Sequence, residues 1–528
     1  MLTTILLATL LNPQTQEGLI VFSPTSTTDA HLLDNDGTIL HTWSTAYMPG
    51  QACYLLPDGD LMRTIDLGAS IIGGAGGGVQ RLAWDGTVEW EYIYSDSFHL
   101  QHHDIEVLPN GNVLMIAWDY ITRANAANAG RSGAYMSGTY FAPDTVIEVD
   151  PSTNTIVWQW KAMDHVVQDL FPSRANYGVV GDHAELLDLN YPATVPMQGD
   201  WLHINGIDYN PSLDQIMLSL HNSNEIIVID HSTTMAEAAT HTGGLSGRGG
   251  DLLYRWGNPA AYDHGTTADQ MLFGQHDAQW IVDGSPGAGN ILVFNNGNGR
   301  GYSSVDELEA PIDPLTHEYA YSTGAAYGPP SLLWTYSDPG TFYSSFISGA
   351  QRQPNGNTLI CEGDDGRLFE VDPGGTLVWD YFNPYGSAGH NEVFKVQRYQ
   401  HFLWTGEHEF QASTGSRVPL HLQAGRAHAG SNYLLLATTS GLYPGYGLPG
   451  GLTLPLNVDW LTTYIYNNPT DPHFIDFTGT LDANGAAMAI LDTQGALGTS
   501  WVGRTLDFAF ITMSPVDFAS TAISVEIK

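Results

Sequence analysis

Apolar and polar positions alternate with a period of two through many short runs, and each run is cut off by a turn rich in Gly, Pro, Asn or Asp. That is the period of half-buried β-strands joined by tight hairpins; a helix would repeat at 3.6. One unit recurs along the chain. Its first half is an apolar strand, a Pro-Asp/Asn-Gly turn and a second strand, as in Cys53-Tyr-Leu-Leu-Pro-Asp-Gly-Asp-Leu-Met62, Ile105-Glu-Val-Leu-Pro-Asn-Gly-Asn-Val-Leu114 and Ala350-Gln-Arg-Gln-Pro-Asn-Gly-Asn-Thr-Leu359. Looser copies run from Ile207 to Leu218 and from Ala278 to Phe294. Its second half is an Asp-Gly-Thr-like turn leading into a strand that ends in tryptophan, seen at Leu33–Trp43, Leu82–Trp90, Val149–Trp158 and Val371–Trp379.

Two hairpins make one four-stranded sheet with two apolar faces, and both faces must be covered by equivalent neighbours, which selects a radial array. Inner strands are expected to begin near Ala52, Asp104, Ile204, Asp277 and Ser348. A sixth, Asn391–Arg398, has no hairpin after it, whereas Gly18–Trp43 supplies outer strands without an inner one. The predicted fold class is therefore all-β: a six-bladed β-propeller closed by both termini, followed by a small β-sandwich. The boundaries read as 1–16 for a signal-peptide-like segment, 17–411 for the propeller and 412–528 for the sandwich. Two excursions without repeat character, Asp164–Asp200 and Gly301–Pro330, have the length of functional loops, and a lid over one propeller end is expected of them.

Charge narrows the partners. The 528 residues carry 17 Lys and Arg against 56 Asp and Glu, a formal net charge of −39. Nucleic acid is excluded as a partner, because phosphate binding needs clustered cations. An anionic substrate would have to be held by a local positive site against the overall field. Cys53 and Cys361 each sit inside an apolar run and read as buried free thiols. The apolar start Met1–Leu11 resembles the core of a signal peptide, so a secreted, periplasmic or extracellular location is expected. No transmembrane segment is expected later, and the terminal sandwich reads as an attachment or structural module.

Candidate chemistry is concentrated where inner strands begin, since those ends line the mouth of a propeller channel. Histidine stands just ahead of an inner strand four times, at His102-His103, His203, His276 and His390. Imidazoles gathered around one axis can act as nucleophile, acid–base group, anion donor or metal ligand. With Asp104 or Asp277 they would bind zinc, but no short-spaced ligand pair is present and no metal is assigned. The Asp-Gly segments at Asp34–Gly37 and Asp364–Gly366 recur at repeat positions and read as hairpin turns, not calcium loops.

Two of these segments resemble a known family. Trp201-Leu-His-Ile-Asn-Gly-Ile-Asp-Tyr-Asn210, continuing through Gln215–Ile229, is similar to the His-Ile-Asn blade of the bacterial arylsulfotransferases. Gly274-Gln-His-Asp-Ala-Gln279 with Ile291-Leu-Val-Phe-Asn-Asn-Gly-Asn-Gly-Arg-Gly301 resembles that family's Gln-His strand and its glycine- and arginine-bearing turn. The resemblance spans roughly Gly18 to Tyr399. It implies a cofactor-free enzyme that passes a sulfuryl group between small phenolic sulfate esters and phenols through a histidine. His203 and His276 would hold the sulfuryl oxygens and move the phenol proton, Arg300 would supply permanent charge, and Asn205, His102 and Asn296 would bind substrate. One departure stands out. The family's nucleophilic histidine aligns with Phe342–Ala350, which contains none, leaving His103 and His390 as substitutes. The rival reading is a non-catalytic secreted propeller that binds a glycan, a sulfated ligand or a protein.

Overall fold

The repeated turns do the same job at each copy. In the Pro-Asn-Gly turns the asparagine side chain, Asn110 or Asn355, accepts the backbone N–H two residues on, and the following glycine takes a left-handed φ, 86° at Gly111 and 92° at Gly356. In the Asp-Gly-Thr turns Asp34, Asp85 and Asp372 accept the threonine N–H at 2.8 Å. A computed structural model of the chain describes residues 15–528 apart from 17, 57–58, 69–72, 387–389, 400–401, 406, 408, 426–427, 443, 450–451 and 484. Met1–Leu11 lies outside the described residues.

The hairpins assemble into six four-stranded antiparallel sheets. Blade 1 holds Met48–Leu55, Leu61–Asp66, Gly77–Leu82 and Val88–Ile93; blade 2 holds His99–Val107, Val113–Asp119, Asp144–Asp150 and Thr155–Lys161. Blade 3 is Ile204–Asn210, Gln215–Leu220, Glu225–Asp230 and Tyr254–Trp256; blade 4 is His276–Trp280, Ile291–Asn295, Ser304–Leu308 and Trp334–Ser337. Blade 5 is Gly349–Arg352, Thr358–Glu362, Arg367–Val371 and Leu377–Phe382. Blade 6 joins Gln397–Tyr399 to Leu19–Phe22, Asp29–Leu33 and Ile39–Ser44, with Leu19 opposite Tyr399, so the two ends of the propeller sequence share one sheet. Its inner strand is shorter than the sequence suggests, because upstream of Gln397 the backbone makes only an isolated bridge, Val393 to Pro24.

A separate cluster of buried apolar side chains fills each gap between neighbouring blades. The recurrent tryptophans stitch those gaps. Each outer-strand indole N–H donates toward the next blade: Trp43 to the Ala83 carbonyl, Trp90 to Asn154, Trp158 to Thr233, Trp334 to the Pro373 carbonyl and Trp379 to the Asn35 carbonyl. From blade 3, Trp256 donates to the Pro329 carbonyl at 2.9 Å, in the excursion that leads into blade 4's outer strand. That excursion packs on blade 3's outer edge, where Tyr319 stacks on Tyr254 with ring centroids 4.8 Å apart.

Two further sheets follow. One holds Phe402–Trp404, Arg417–Gln423, Ala486–Asp492 and Phe474–Ile475, the other Glu409–Phe410, Ile523–Ile527, Thr505–Met513, Asn432–Thr438 and Thr478–Thr480. They enclose one apolar core that includes Leu420, Leu435 and Phe508. Trp404 reaches the propeller, its ring 5.8 Å from that of Trp84. Cys53 and Cys361 are both buried free thiols. Among the described residues no helix is long and apolar enough to cross a membrane.

On the axis, Lys395 places its ammonium 2.7 Å from Asp104 and 3.1 Å from Asp277. All three side chains are buried. Asp104 also accepts the Tyr54 hydroxyl at 2.6 Å and the Ile207 N–H, and Asp277 accepts the Ala350 N–H at 3.0 Å. The two aspartates are thus engaged by an internal cation and are not presented to a metal with the imidazoles. Replacing Lys395 with methionine leaves two buried carboxylates without their counter-charge, for which about 3–5 kcal/mol of destabilisation is expected. Chemical denaturation should show this loss for Lys395→Met and little change for Lys161→Met, whose ion pair with Asp119 has the lysine 36% exposed.

Candidate active site

The inner strands of blades 2, 3 and 4 are irregular where they enter the channel. The pairing register of the inner hairpin shifts between Gln101 and Ile105, between Ile204 and Gly206, and between His276 and Gln279. At the same places the backbone takes a left-handed conformation at non-glycine residues, with φ of 52° at His103, 54° at His203 and 49° at Asp277, and just ahead of blade 5's inner strand Ser348 has a φ of 90°. A bulge of this kind turns a side chain out of the pleat and toward the axis. Such backbone costs on the order of 1–3 kcal/mol per residue and is held by the surrounding sheet. At Gly74 only glycine fits, because a Cβ there would lie 2.0 Å from His103 Nε2.

The consequence is a continuous run of five imidazoles. Ring centroids are 5.1 Å apart for His102–His103, 4.6 Å for His103–His203, 5.2 Å for His203–His221 and 5.5 Å for His221–His276. Partners fix their tautomers. Asn296 donates its amide to the Ser344 and Ile347 carbonyls, so its oxygen accepts from His276 Nδ1–H at 2.8 Å and the Nε2 lone pair is left over. Asn222 donates to the Asp200 and Trp201 carbonyls and accepts from His221 Nδ1–H at 3.1 Å, with the same result. His203 donates Nδ1–H to Asp200, 2.5 Å away, and the other Asp200 oxygen accepts the Trp118 indole N–H. His102 stacks on Trp118 at 3.9 Å and shares a 2.8 Å Nδ1–Nδ1 hydrogen bond with His103.

Charge is divided unevenly along the run. Burial, with the neighbouring His203, holds His103 well below the usual imidazole range and His221 down at about 4. Burial, with His221 next to it, does the same to His276, and burial outweighs the pull of Asp200 to bring His102 to about 3. His203 alone goes the other way. Burial would lower it too, but the charge and hydrogen bond of Asp200, with Asp144 behind them, raise it. Burial and the Asp200 charge push Asp144 itself up to about 8. His203 therefore holds its second proton to higher pH than the four imidazoles around it, and environment has set their values apart. His203, 16% exposed, is reachable from solvent.

The structure brings His102, His103, His203 and His276 together but leaves His390 and Arg300 out of the run. His390 is 68% exposed and bonded to Glu392, because the closing strand presents Lys395 to the axis and carries its preceding residues out to the rim. Arg300 braces its own turn, bonding Ser304 at 3.1 Å and lying over the Phe273 and Tyr302 rings, with Nε buried and unpartnered. Asn205 spends its amide on the Gln275 carbonyl at 2.8 Å, tying blade 3 to blade 4. In blade 5 the mouth position is Ser348, whose hydroxyl is engaged by Ser344 and the Gly363 N–H. His221, Asp200 and Asp144 were not singled out by sequence. The available signals were the His-Asn pair closing blade 3's first hairpin and an aspartate three residues before His203.

Fold and site together define an all-β propeller whose channel mouth is lined by histidines. The chain belongs to the arylsulfotransferase (ASST) family, whose model matches residues 11–377. No curated protein sequence matches it. Among solved structures it is similar to a Bacteroides caccae protein of unknown function, at 10% identity over 72% of this chain and 99% of that one with a TM-score of 0.40. It is also similar to virginiamycin B lyase of Staphylococcus aureus, at 9% identity over 72% and 89% with a TM-score of 0.33, and to the Dos1 propeller, at 11% identity over 65% and 62% with a TM-score of 0.31.

Asp200 makes His203 testable by itself. A group with a raised value lends stability fully below about pH 6.5, the ordinary imidazole value, and loses it as pH rises through the folded value. Isotope-labelled histidine spectra should show one of the five imidazoles titrating above the ordinary value, and in Asp200→Asn that titration should fall below it, since burial is then unopposed.

Proposed function

We propose that the chain transfers a sulfuryl group from a phenolic sulfate ester to a phenol, with an imidazole of the run carrying the group between the two half-reactions. The observation that carries this reading is the raised imidazole of the run, His203, set beside His221, whose Nδ1–H is held by Asn222 and whose Nε2 lone pair is left over. His221 is the proposed nucleophile, half-buried where His276 is buried. Its Nε2 attacks sulfur, the S–O bond to the phenol breaks, and His203 gives its proton to the departing oxygen. In the second half His203, now neutral, takes the proton of the acceptor phenol as that oxygen attacks the sulfur and His221 leaves. The charge on the sulfuryl oxygens is met by the protonated His203, so the local field outweighs the net negative charge.

A second reading rests on Ser348. A hydroxyl engaged on both sides stands where the family's nucleophile aligns, which favours a propeller that binds a sulfated ligand without turning it over.

Incubation with p-nitrophenyl sulfate and excess phenol separates the two. The transferase releases p-nitrophenol, and His203→Ala or His221→Ala lowers the rate by about a hundredfold or more. Ligand binding with no release, even at high protein concentration, would leave only the second reading. Release should fall as pH rises through the raised His203 value, where the proton donor is lost, and Asp200→Asn should move that fall to lower pH.

A further inference from the structure

Away from the channel, at the outer rim between blades 2 and 3, three side chains from distant parts of the chain converge. His165 follows blade 2's outer strand, while His241 and Asp251 belong to the loop that leads into blade 3's outer strand. Their ligand atoms all lie within 4.8 Å of one another. His165 Nδ1 is 2.8 Å and His241 Nδ1 is 2.7 Å from the same Asp251 oxygen.

The tautomer of His165 is decided by its other nitrogen. Nε2 lies 2.8 Å from the Ala238 carbonyl, which can only accept, so the proton sits on Nε2. For a neutral ring the Nδ1 lone pair then faces a carboxylate oxygen inside a site where His165 is fully buried and Asp251 is 8% exposed. Two lone pairs at that distance repel unless a positive charge lies between them or on the ring. A backbone carbonyl holding the far N–H of a histidine is also how metal-ligating imidazoles are oriented. The ring plane is fixed as well, parallel to Trp160 within 2°, and Trp160 donates its indole N–H to the carbonyl of Gly250, beside Asp251.

We propose that His165 Nδ1, His241 Nδ1 and an Asp251 oxygen form a binding site for a divalent transition-metal ion of the zinc type. Two imidazoles and one carboxylate are the donor set such ions take, with the remaining coordination position left to solvent on the side of His241, which is 61% exposed. The ion fastens the loop of residues 239–251 to the root of the excursion that begins at Asp164 and ends at Asp200, the partner of His203.

The test uses tag-free full-length protein stripped with a chelator and titrated calorimetrically with zinc chloride. One equivalent is expected to bind and to raise the melting temperature. His241→Ala, a change at an exposed side chain that leaves the fold intact, and Asp251→Asn should each weaken binding by about tenfold or more. His203→Ala should leave it unchanged. The site is overturned if the unmodified chain binds no zinc, if neither His241→Ala nor Asp251→Asn weakens binding, or if His203→Ala abolishes it, which would put the metal on the channel imidazoles.

Discussion

The arrangement turns on one buried ammonium. Lys395 sits on the axis between Asp104 and Asp277, and those carboxylates in turn accept hydrogen bonds from Tyr54, Ile207 N and Ala350 N, so every blade sends a group to the same point. Three charges taken out of water are tolerable only when each is surrounded by partners, and a carboxylate so placed accepts several hydrogen bonds at once. The geometry leaves little freedom. Moving one inner strand relative to the axis would expose a charge to an apolar wall, which fixes where each strand begins and therefore where the bulges and their histidines fall.

Above this hub the same low-dielectric interior sorts protons. Five imidazoles in contact cannot all be charged, because each positive ring raises the cost of the next. Asp200, by its contact with His203, settles which ring keeps its second proton to the highest pH. A surface dominated by acidic residues is thus compatible with an anion-accepting mouth, since the field there is set by groups within a few ångströms and the distant charges are screened. At the opposite end of the channel a cavity of about 950 Å³ is lined by Glu106 and Asp208, a setting that suits an anionic ester poorly.

Much of the architecture was legible before any coordinates. The Pro-Asn-Gly and Asp-Gly-Thr turns, the period-two runs and the orphaned halves at Gly18–Trp43 and near Arg398 led to a closed propeller, because turn chemistry and strand alternation are local. The recurring tryptophans were visible as a pattern but their purpose was not. Each donates across a blade boundary, a relation between residues roughly forty to eighty positions apart, or, for Trp379 and Asn35, between the two ends of the propeller. The site was half legible. His203 and His276 stood out by position and by motif, whereas His221 was hidden just past the second strand of blade 3 and reaches the mouth because its backbone N–H bonds the His203 carbonyl at the open end of the hairpin.

His390 and Lys395 mark the boundary between the two kinds of knowledge. By position ahead of an inner strand His390 matched the other histidines, yet the closing strand pairs regularly only from Gln397, and the residue it delivers to the axis is Lys395. By itself the sequence determined strands, turns, repeat number and the kinds of side chain available, all of which depend on neighbours along the chain. Only the tertiary structure decided which imidazoles meet, which nitrogen keeps its proton and which carboxylates are spoken for, because contacts such as Lys395 with Asp104 and Asp277 join residues more than a hundred positions apart, and burial depends on every blade packed around the site.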